Sequence, residues 1–130
     1  MADLTPARKR TRGSARKAGA SFERVVADYM RDTIDDRIDR RVRTGARDCG
    51  DIAGLRAHGQ HVAVEVKNCR DWKPGTWLRE AEKERINDNA LAGIVVAKRH
   101  GSADPGEQVV LMTLADLVAI IRGVRPEETS

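Results

Sequence analysis

The first hydrophobic pattern in the chain has the period of an α-helix. Apolar or small side chains recur three and four residues apart, at Phe22, Val25, Val26, Tyr29 and Thr33. This spacing predicts an amphipathic helix that begins at Ser14 or Gly19. Glu23 lies beside the apolar stripe and not opposite it, so its carboxylate is expected to reach a cleft at the helix edge. Alternatively, Glu23 only favours an early helical turn through the helix dipole.

Three later stretches have the alternation of β-strands. They cover residues 38–44, 51–55 and 61–67, and a turn through His58 and Gly59 joins the last two into a hairpin. In the third stretch alternate residues share a face, with Val62, Val64 and Val66 on one side and Ala63, Glu65 and Lys67 on the other. We expect the valines to enter the core and the charged residues to line a cleft.

The second half of the chain has the pattern of a crossover between two parallel strands. After a loop over residues 68–75, Thr76 is expected to cap a helix that ends near Ala90, and Gly93 precedes an apolar strand over residues 94–97. A strand over residues 109–112 follows, and Thr113 is expected to cap a last helix. This order predicts an α/β fold in which a mixed sheet carries helices on its faces.

The length of the chain predicts one domain with two unstructured ends. With 130 residues it can bury one core and is too short for two ordinary domains. We expect residues 1–18 to form a basic, disordered arm, residues 19–122 to form the domain, and residues 123–130 to be frayed. The sequence has no apolar run of membrane-spanning length and no signal-peptide pattern, which predicts a cytoplasmic protein without a membrane partner.

Positive charge is concentrated at the start of the chain. The first 20 positions hold six of the 24 Lys and Arg residues but only one of the 20 acidic residues, although the net charge of the whole chain is only +4. Such an arm can neutralise phosphates, so nucleic acid is the expected partner and Arg12 one of its contacts. The alternatives are a solubilising tail or a contact with an acidic protein surface.

The two cysteines are expected to be free thiols, because the chain carries no export signal. Cys49 and Cys69 could still bind zinc together with His58 and His61, since all four fall within the predicted hairpin or beside it. Their spacing lacks the Cys-x-x-Cys element of common structural zinc sites. Zinc is therefore the less favoured alternative.

Acidic residues at the predicted hairpin point to a metal site. Asp51 begins one strand, and Glu65 and Lys67 end the other. Two carboxylates about 4 Å apart repel by about 4 kcal/mol at an effective dielectric near 20, and a hard cation such as Mg²⁺ or Mn²⁺ offsets that cost. With a lysine alongside, these groups can hold a metal ion against a phosphodiester. The alternative is that Asp51 is a turn residue and that Glu65 and Lys67 are merely solvated.

The order of these residues resembles that of the PD-(D/E)xK nuclease superfamily, and most closely that of small archaeal-type Holliday junction resolvases and their phage counterparts. The matching segments, within residues 14–120, are Gly19-Ala20-Ser21-Phe22-Glu23-Arg24, Gly50-Asp51-Ile52, Val64-Glu65-Val66-Lys67 and Arg79-Glu80. Gly50 stands where the superfamily often has proline. Ala81 and Glu82 lie near a position where it often has glutamine, which leaves the roles of Glu80 and Glu82 open.

The resemblance implies a restriction-endonuclease-like αβββαβ core and a magnesium-dependent endodeoxyribonuclease. Glu23, Asp51, Glu65 and the Val66 carbonyl would bind Mg²⁺, for which Mn²⁺ could substitute. Lys67 would orient the attacking water or help to deprotonate it. Hydrolysis would leave 5′-phosphate ends.

The implied substrate is a four-way DNA junction, an intermediate of recombination and repair, in the nucleoid or in the cytoplasm of an infected host. Its near two-fold symmetry calls for a homodimer. The expected DNA contacts are Arg12, Arg43, Arg47, Arg70, Lys73 and Lys98. Trp72 and Trp77 could stack on a base or pack within the protein. An exonuclease, a nickase or a repair endonuclease could share the same site, and a non-enzymatic nucleic-acid-binding module is the remaining alternative.

Overall fold

The computed structural model of the protein describes residues 12–42 and 49–128. The elements in chain order are α1 (Arg12–Thr33), β1 (Asp39–Arg40), β2 (Ile52–Ala53), β3 (Arg56–Ala57), β4 (Gln60–Lys67), α2 (Pro74–Asn87), β5 (Ala92–Ala97), β6 (Val109–Leu111) and α3 (Leu114–Arg122). Short 3₁₀ turns lie between β5 and β6, at Pro105–Glu107, and after α3, at Pro126–Glu128. None of the described helices is both long and apolar enough to cross a membrane.

The sheet is mixed and is organised around β4. The strand order is β1-β2-β4-β5-β6, with β3 paired to the first part of β4. Strands β4 and β5 are parallel over six residue pairs, from Val62 and Ala92 to Lys67 and Ala97, whereas the other pairs are antiparallel. The predicted α/β class and the predicted parallel crossover through α2 are confirmed.

The core occupies both faces of this sheet. On one face the valines of β4 pack with Phe22 and Val26 of α1 and with Ile120 of α3. On the other face Trp77 and Ala81 of α2 pack against β5. The valines enter the core as predicted, but the opposite face of β4 is not an open cleft. Because α2 covers that face, Ala63 and Glu65 are buried there.

Helix α2 packs unusually close to the sheet because β5 contains a glycine. A Cβ atom added to Gly93 would lie 2.5 Å from the carbonyl oxygen of Ala81, closer than van der Waals contact allows. Strand β5 begins at Ala92, so Gly93 lies within it. The sequence pattern predicted that Gly93 precedes the strand. The absence of a side chain at this position sets the distance between α2 and the strands beneath it.

Both ends of the domain extend beyond their predicted limits. Helix α1 begins at Arg12, so residues 12–18 are helical and not part of a disordered arm, while residues 1–11 lie outside the described residues. At the other end Arg125 is buried and its guanidinium bonds Asp116 at 2.5 Å and the Leu91 carbonyl at 3.0 Å. Residues 123–128 are therefore anchored, and the prediction of a frayed tail from residue 123 is wrong for them.

Local geometry also changes some predicted element boundaries. The strand predicted over residues 51–55 is interrupted at Gly54, which has φ +92° and faces the Arg37 carbonyl, so that β2 and β3 are separate. Helix α2 begins at Pro74 after Lys73 and is not capped by Thr76. Thr113 does cap α3, because its hydroxyl accepts a hydrogen bond from the Asp116 amide.

Candidate active site

Asp51 is fixed against β4 by two hydrogen bonds. Its backbone N–H donates to the Val64 carbonyl at 2.8 Å, and its carboxylate accepts from the Val66 N–H at 2.8 Å. The side chain is buried. Asp51 therefore lies directly beside the Glu65-Val66-Lys67 segment, although 14 positions separate it from Glu65 in the sequence.

Gly50 is required by the close approach of the chain to β4. It has φ +102°, and a Cβ atom at this position would lie 2.9 Å from the Val64 carbonyl oxygen. Proline cannot adopt this backbone conformation, because its ring holds φ near −65°. The local backbone therefore excludes proline at this position.

The carbonyl of Val66 points to the same side of β4 as its N–H, as in any extended strand. The pairing of β2 with β4 stops at Ile52 and Val64. Because the Val66 N–H donates to Asp51, the Val66 carbonyl is directed to the same side of β4, past the end of β2. Val66 thus presents a backbone oxygen on the side of the strand where Asp51 lies.

Glu23 and Asp51 line a common cavity. Its volume is about 450 Å³, and its lining residues are Glu23, Arg24, Asp39, Arg40, Arg41, Val42 and Asp51. We call this cavity the Glu23–Asp51 cleft. Within it the Glu23 carboxylate lies 3.2 Å from the Arg40 guanidinium. The edge of α1 and the end of β1 therefore place one acidic and one basic side chain beside Asp51.

Glu65 and Lys67 lie on the face of β4 that α2 covers. The Lys67 ammonium is 3.4 Å from the Glu65 carboxylate and 2.6 Å from the Glu80 carboxylate. Burial lowers the pKa of Lys67, but the two ion pairs outweigh it, so that the pKa is raised above its ordinary value of 10.5. Lys67 is therefore a cation at neutral pH.

The three predicted acidic ligands do not form one ready-made metal set. Among residues 12–42 and 49–128, no group of three or more Asp, Glu, His or Cys side chains is arranged to hold a metal ion. Glu23 and Asp51 share a cleft, but Glu23 is paired with Arg40, and Glu65 is paired with Lys67. In this state the charge that a divalent cation would compensate is partly balanced by basic side chains.

The donor chemistry of these residues nevertheless fits Mg²⁺ or Mn²⁺. The candidates are three carboxylates and one backbone carbonyl, and hard divalent cations prefer such oxygen ligands. The Arg40–Glu23 pair is partly open to solvent, with side-chain exposures of 37% and 24%. Partly exposed ion pairs contribute little free energy, so exchanging one for a bound cation costs little.

The predicted DNA contacts fall into three groups. Arg70 and Lys73 are exposed in the loop between β4 and α2, which starts directly after Lys67. The Lys98 ammonium instead bonds the carbonyls of Arg99 and Ser102, so it holds the turn after β5. Three further predictions concern residues that are not described in full. Arg43 and Arg47 lie outside the described residues, and of Arg12 only the backbone, in α1, is described.

The residues of the alternative zinc site have other contacts. His58 bonds the Ile120 carbonyl at 2.7 Å, and His61 lies 3.4 Å from the Asp88 carboxylate. Cys49 and Cys69 are free thiols. In the described part of the chain these four residues form no metal-binding group.

The two tryptophans differ in their surroundings. Trp77 is buried on α2, whereas Trp72 is 37% exposed and packs on it with ring centroids 5.9 Å apart at a 53° tilt. Packing is thus the role of Trp77, and only Trp72 has a face open to solvent.

Sequence reasoning missed Arg40 and left the role of Glu80 open. Arg40 lies in a stretch of four arginines, and nothing in that pattern indicates which of them faces Glu23. The sequence does indicate on which side of α2 Glu80 lies, because it is three residues after Trp77 and therefore near the inner side of the helix. This spacing points to Lys67 as the partner of Glu80 only once the position of α2 over β4 is known.

The chain matches no protein-family model, no curated protein and no solved structure.

Proposed function

We propose that the protein is a metal-dependent DNA endonuclease with a restriction-endonuclease-like core that resolves four-way junctions. One observation carries the proposal: the Asp51 carboxylate accepts a hydrogen bond from the backbone of the Glu65-Val66-Lys67 segment. Two segments that resemble the PD-(D/E)xK pattern are thereby in direct contact. Helix α1 adds Glu23 to the cleft that Asp51 lines.

In this proposal Glu23, Asp51, Glu65 and the Val66 carbonyl hold Mg²⁺, for which Mn²⁺ can substitute. When bound, the ion would supply Lewis-acid activation of the phosphate and would lower the pKa of the attacking water. Lys67 is a cation in this site, so it donates hydrogen bonds to a phosphate oxygen and stabilises the charge that develops during hydrolysis. Asp51 is already oriented by the Val66 N–H, which limits the reorganisation needed.

DNA would reach the site along the loop after β4. Arg70 and Lys73 are exposed there and can neutralise the phosphates that flank the cleaved bond. Arg12, Arg43 and Arg47 remain proposed contacts of the same kind. Lys98 is the weakest of the proposed contacts, because its ammonium already bonds two carbonyls of its own turn.

The four-way junction and the homodimer are proposed together. A junction has near two-fold symmetry, and one chain of this size supplies one site, so paired cuts need two copies related by a two-fold axis. Such an enzyme would act in recombination and repair, in the nucleoid or in the cytoplasm of an infected host.

A second candidate is a nucleic-acid-binding module without catalysis. It is favoured by the pairing of Glu23 with Arg40 and of Glu65 with Lys67, since these contacts balance charge without a metal ion. It offers no reason for Asp51 to be bonded to the strand that carries Glu65 and Lys67. An exonuclease, a nickase or a repair endonuclease would use the same residues and differ only in the DNA that it accepts.

Cleavage of labelled four-way junction, flap, duplex and single-stranded DNA in Mg²⁺ tests the proposal. We expect symmetrical cuts in the junction, and loss of about 100-fold or more of the rate in both Asp51→Asn and Lys67→Ala while the junction is still bound. Cutting confined to another substrate supports one of the other nucleases. Folded protein that binds DNA but cuts none of it in Mg²⁺ or Mn²⁺ refutes the nuclease.

A further inference from the structure

Glu80 makes the shortest ion pair of the candidate active site. Its carboxylate lies 2.6 Å from the Lys67 ammonium, whereas Glu65 lies 3.4 Å from the same atom. The Glu80 side chain is 42% exposed and that of Lys67 is 20% exposed, so the pair lies at the boundary between α2 and solvent. The contact that fixes the ammonium thus comes from α2 and not from the strand that carries Lys67.

The backbone of α2 is held firmly enough to position this contact. Trp77 and Ala81, on either side of Glu80, are both buried against β5. Gly93 lets the helix approach so closely that any larger residue would meet the Ala81 carbonyl. Because the helix cannot move away without losing this packing, the Glu80 carboxylate is presented to Lys67 at a defined place.

We propose that Glu80 is a positioning residue, which holds the Lys67 ammonium in the orientation needed to contact the scissile phosphate. This inference rests on the proposed nuclease function and adds a residue to it. Lysine has four rotatable bonds and an ammonium without preferred direction, so one partner at 3.4 Å leaves it several orientations. A second partner from α2 restricts it to one. Small displacements of a catalytic group lower rates by up to about 100-fold.

Glu82 offers a matched control on the same helix. Its side chain is 43% exposed and pairs with Arg85 at 2.5 Å, so it resembles Glu80 in exposure and in ion pairing. It has no contact with Lys67 among those of the described residues. Glu82→Ala removes the same chemistry from α2 and leaves the proposed site intact.

The kinetic test compares Glu80→Ala, Glu80→Gln and Glu82→Ala in junction cleavage. We expect Glu80→Ala to lower kcat by about 10- to 100-fold with little change in KM, since DNA binding does not use Glu80. Glu80→Gln keeps an oxygen acceptor at the same reach and should restore most of the rate. In a Lys67→Ala background, Glu80→Ala should have no further effect. Full activity of Glu80→Ala, or an equal loss in Glu82→Ala, overturns the inference.

A second readout does not depend on cleavage. The two Hε protons of Lys67 should have distinct NMR shifts while the side chain is held, and should average to one shift in Glu80→Ala but not in Glu82→Ala. If wild type cuts no DNA and the shifts respond as expected, the nuclease fails and the positioning contact stands. If wild type cuts DNA and the Lys67 shifts are already averaged, the positioning contact fails and the nuclease stands.

Discussion

Arg125 and Lys67 each bind two carboxylates, yet their surroundings differ. Arg125 pairs with Asp116 and Glu127 and also donates to the Leu91 carbonyl, with only 8% of its side chain exposed. Lys67 pairs with Glu65 and Glu80 and is 20% exposed, next to the proposed site. We call these groups the Arg125 cluster and the Lys67 cluster.

The comparison separates a contact that stabilises the fold from one that a ligand can reach. The Arg125 guanidinium joins α3, the segment before β5 and the 3₁₀ turn at Pro126–Glu128, and its planar donors are directed to several acceptors at once. The Lys67 ammonium lies at the solvent-exposed edge of α2, and its two partners are carboxylates. Only the second arrangement is open enough for a phosphate to reach the basic group, and the Lys67 ammonium has three N–H donors for its two carboxylate partners.

The largest expected change in stability is at the Arg125 cluster. Arg125→Ala should lower the free energy of unfolding by about 3–5 kcal/mol, because it leaves the buried Asp116 without its cation. Urea unfolding measures this. Arg37→Ala is the control, since Arg37 makes an exposed pair with Asp35 and its removal should cost less than about 1 kcal/mol. Equal losses in the two variants would contradict the distinction between buried and open pairs.

The next effect concerns the distance between α2 and the sheet. Gly93→Ala places a methyl group against the Ala81 carbonyl, and overpacking of this kind costs about 1–3 kcal/mol. Because α2 carries Glu80, the variant should also lower the cleavage rate more than its loss of stability explains. Chemical unfolding and cleavage below the unfolding range measure both effects. A variant with wild-type stability and wild-type cleavage would show that the close approach is unimportant.

The smallest effect is the pH dependence of the partly buried pair that Glu82 and Arg85 form on α2. The hydrogen bond from Arg85 holds the pKa of Glu82 below its ordinary value of 4.5. The pair therefore contributes its stability above the unfolded-state pKa, and this contribution is lost as the pH falls through the folded-state value. Glu82→Gln should thus lose less stability than wild type as the pH falls below the ordinary glutamate pKa of 4.5, by less than about 1 kcal/mol. Identical acid profiles would show that the pair contributes nothing.

Much of the fold follows from local sequence patterns. Helix α1, strand β4, the parallel strand β5 and the Thr113 cap each follow from periodicity or from one local residue type, and the structure contains all four. The break between β2 and β3 does not follow from periodicity, because it depends on the Arg37 carbonyl that faces Gly54. The anchored C-terminal segment was missed for a similar reason, since Asp116 and Leu91 are distant from Arg125 in the sequence.

The sequence pattern proposes the residues of the candidate site but not the contacts between them. The acidic positions and Lys67 follow from the motif order, and the structure brings Asp51 to the strand of Glu65 and Lys67. The basic partner of Glu23 and the acidic partner from α2 depend on how helices lie on the sheet. Local sequence patterns do not indicate how helices lie on a sheet. The pairs Glu23–Arg40 and Glu80–Lys67 also distinguish the structure described here from the proposed metal-bound state.

The central claim is that Asp51 and the Glu65-Val66-Lys67 segment bind a divalent cation together. Titration with Mn²⁺, followed by the paramagnetic broadening of backbone NMR signals, tests it directly. We predict early and selective broadening at Asp51, Val66 and Glu23, and loss of this pattern in Asp51→Asn. Broadening that leaves these residues unaffected, or that is unchanged in Asp51→Asn, would contradict the claim.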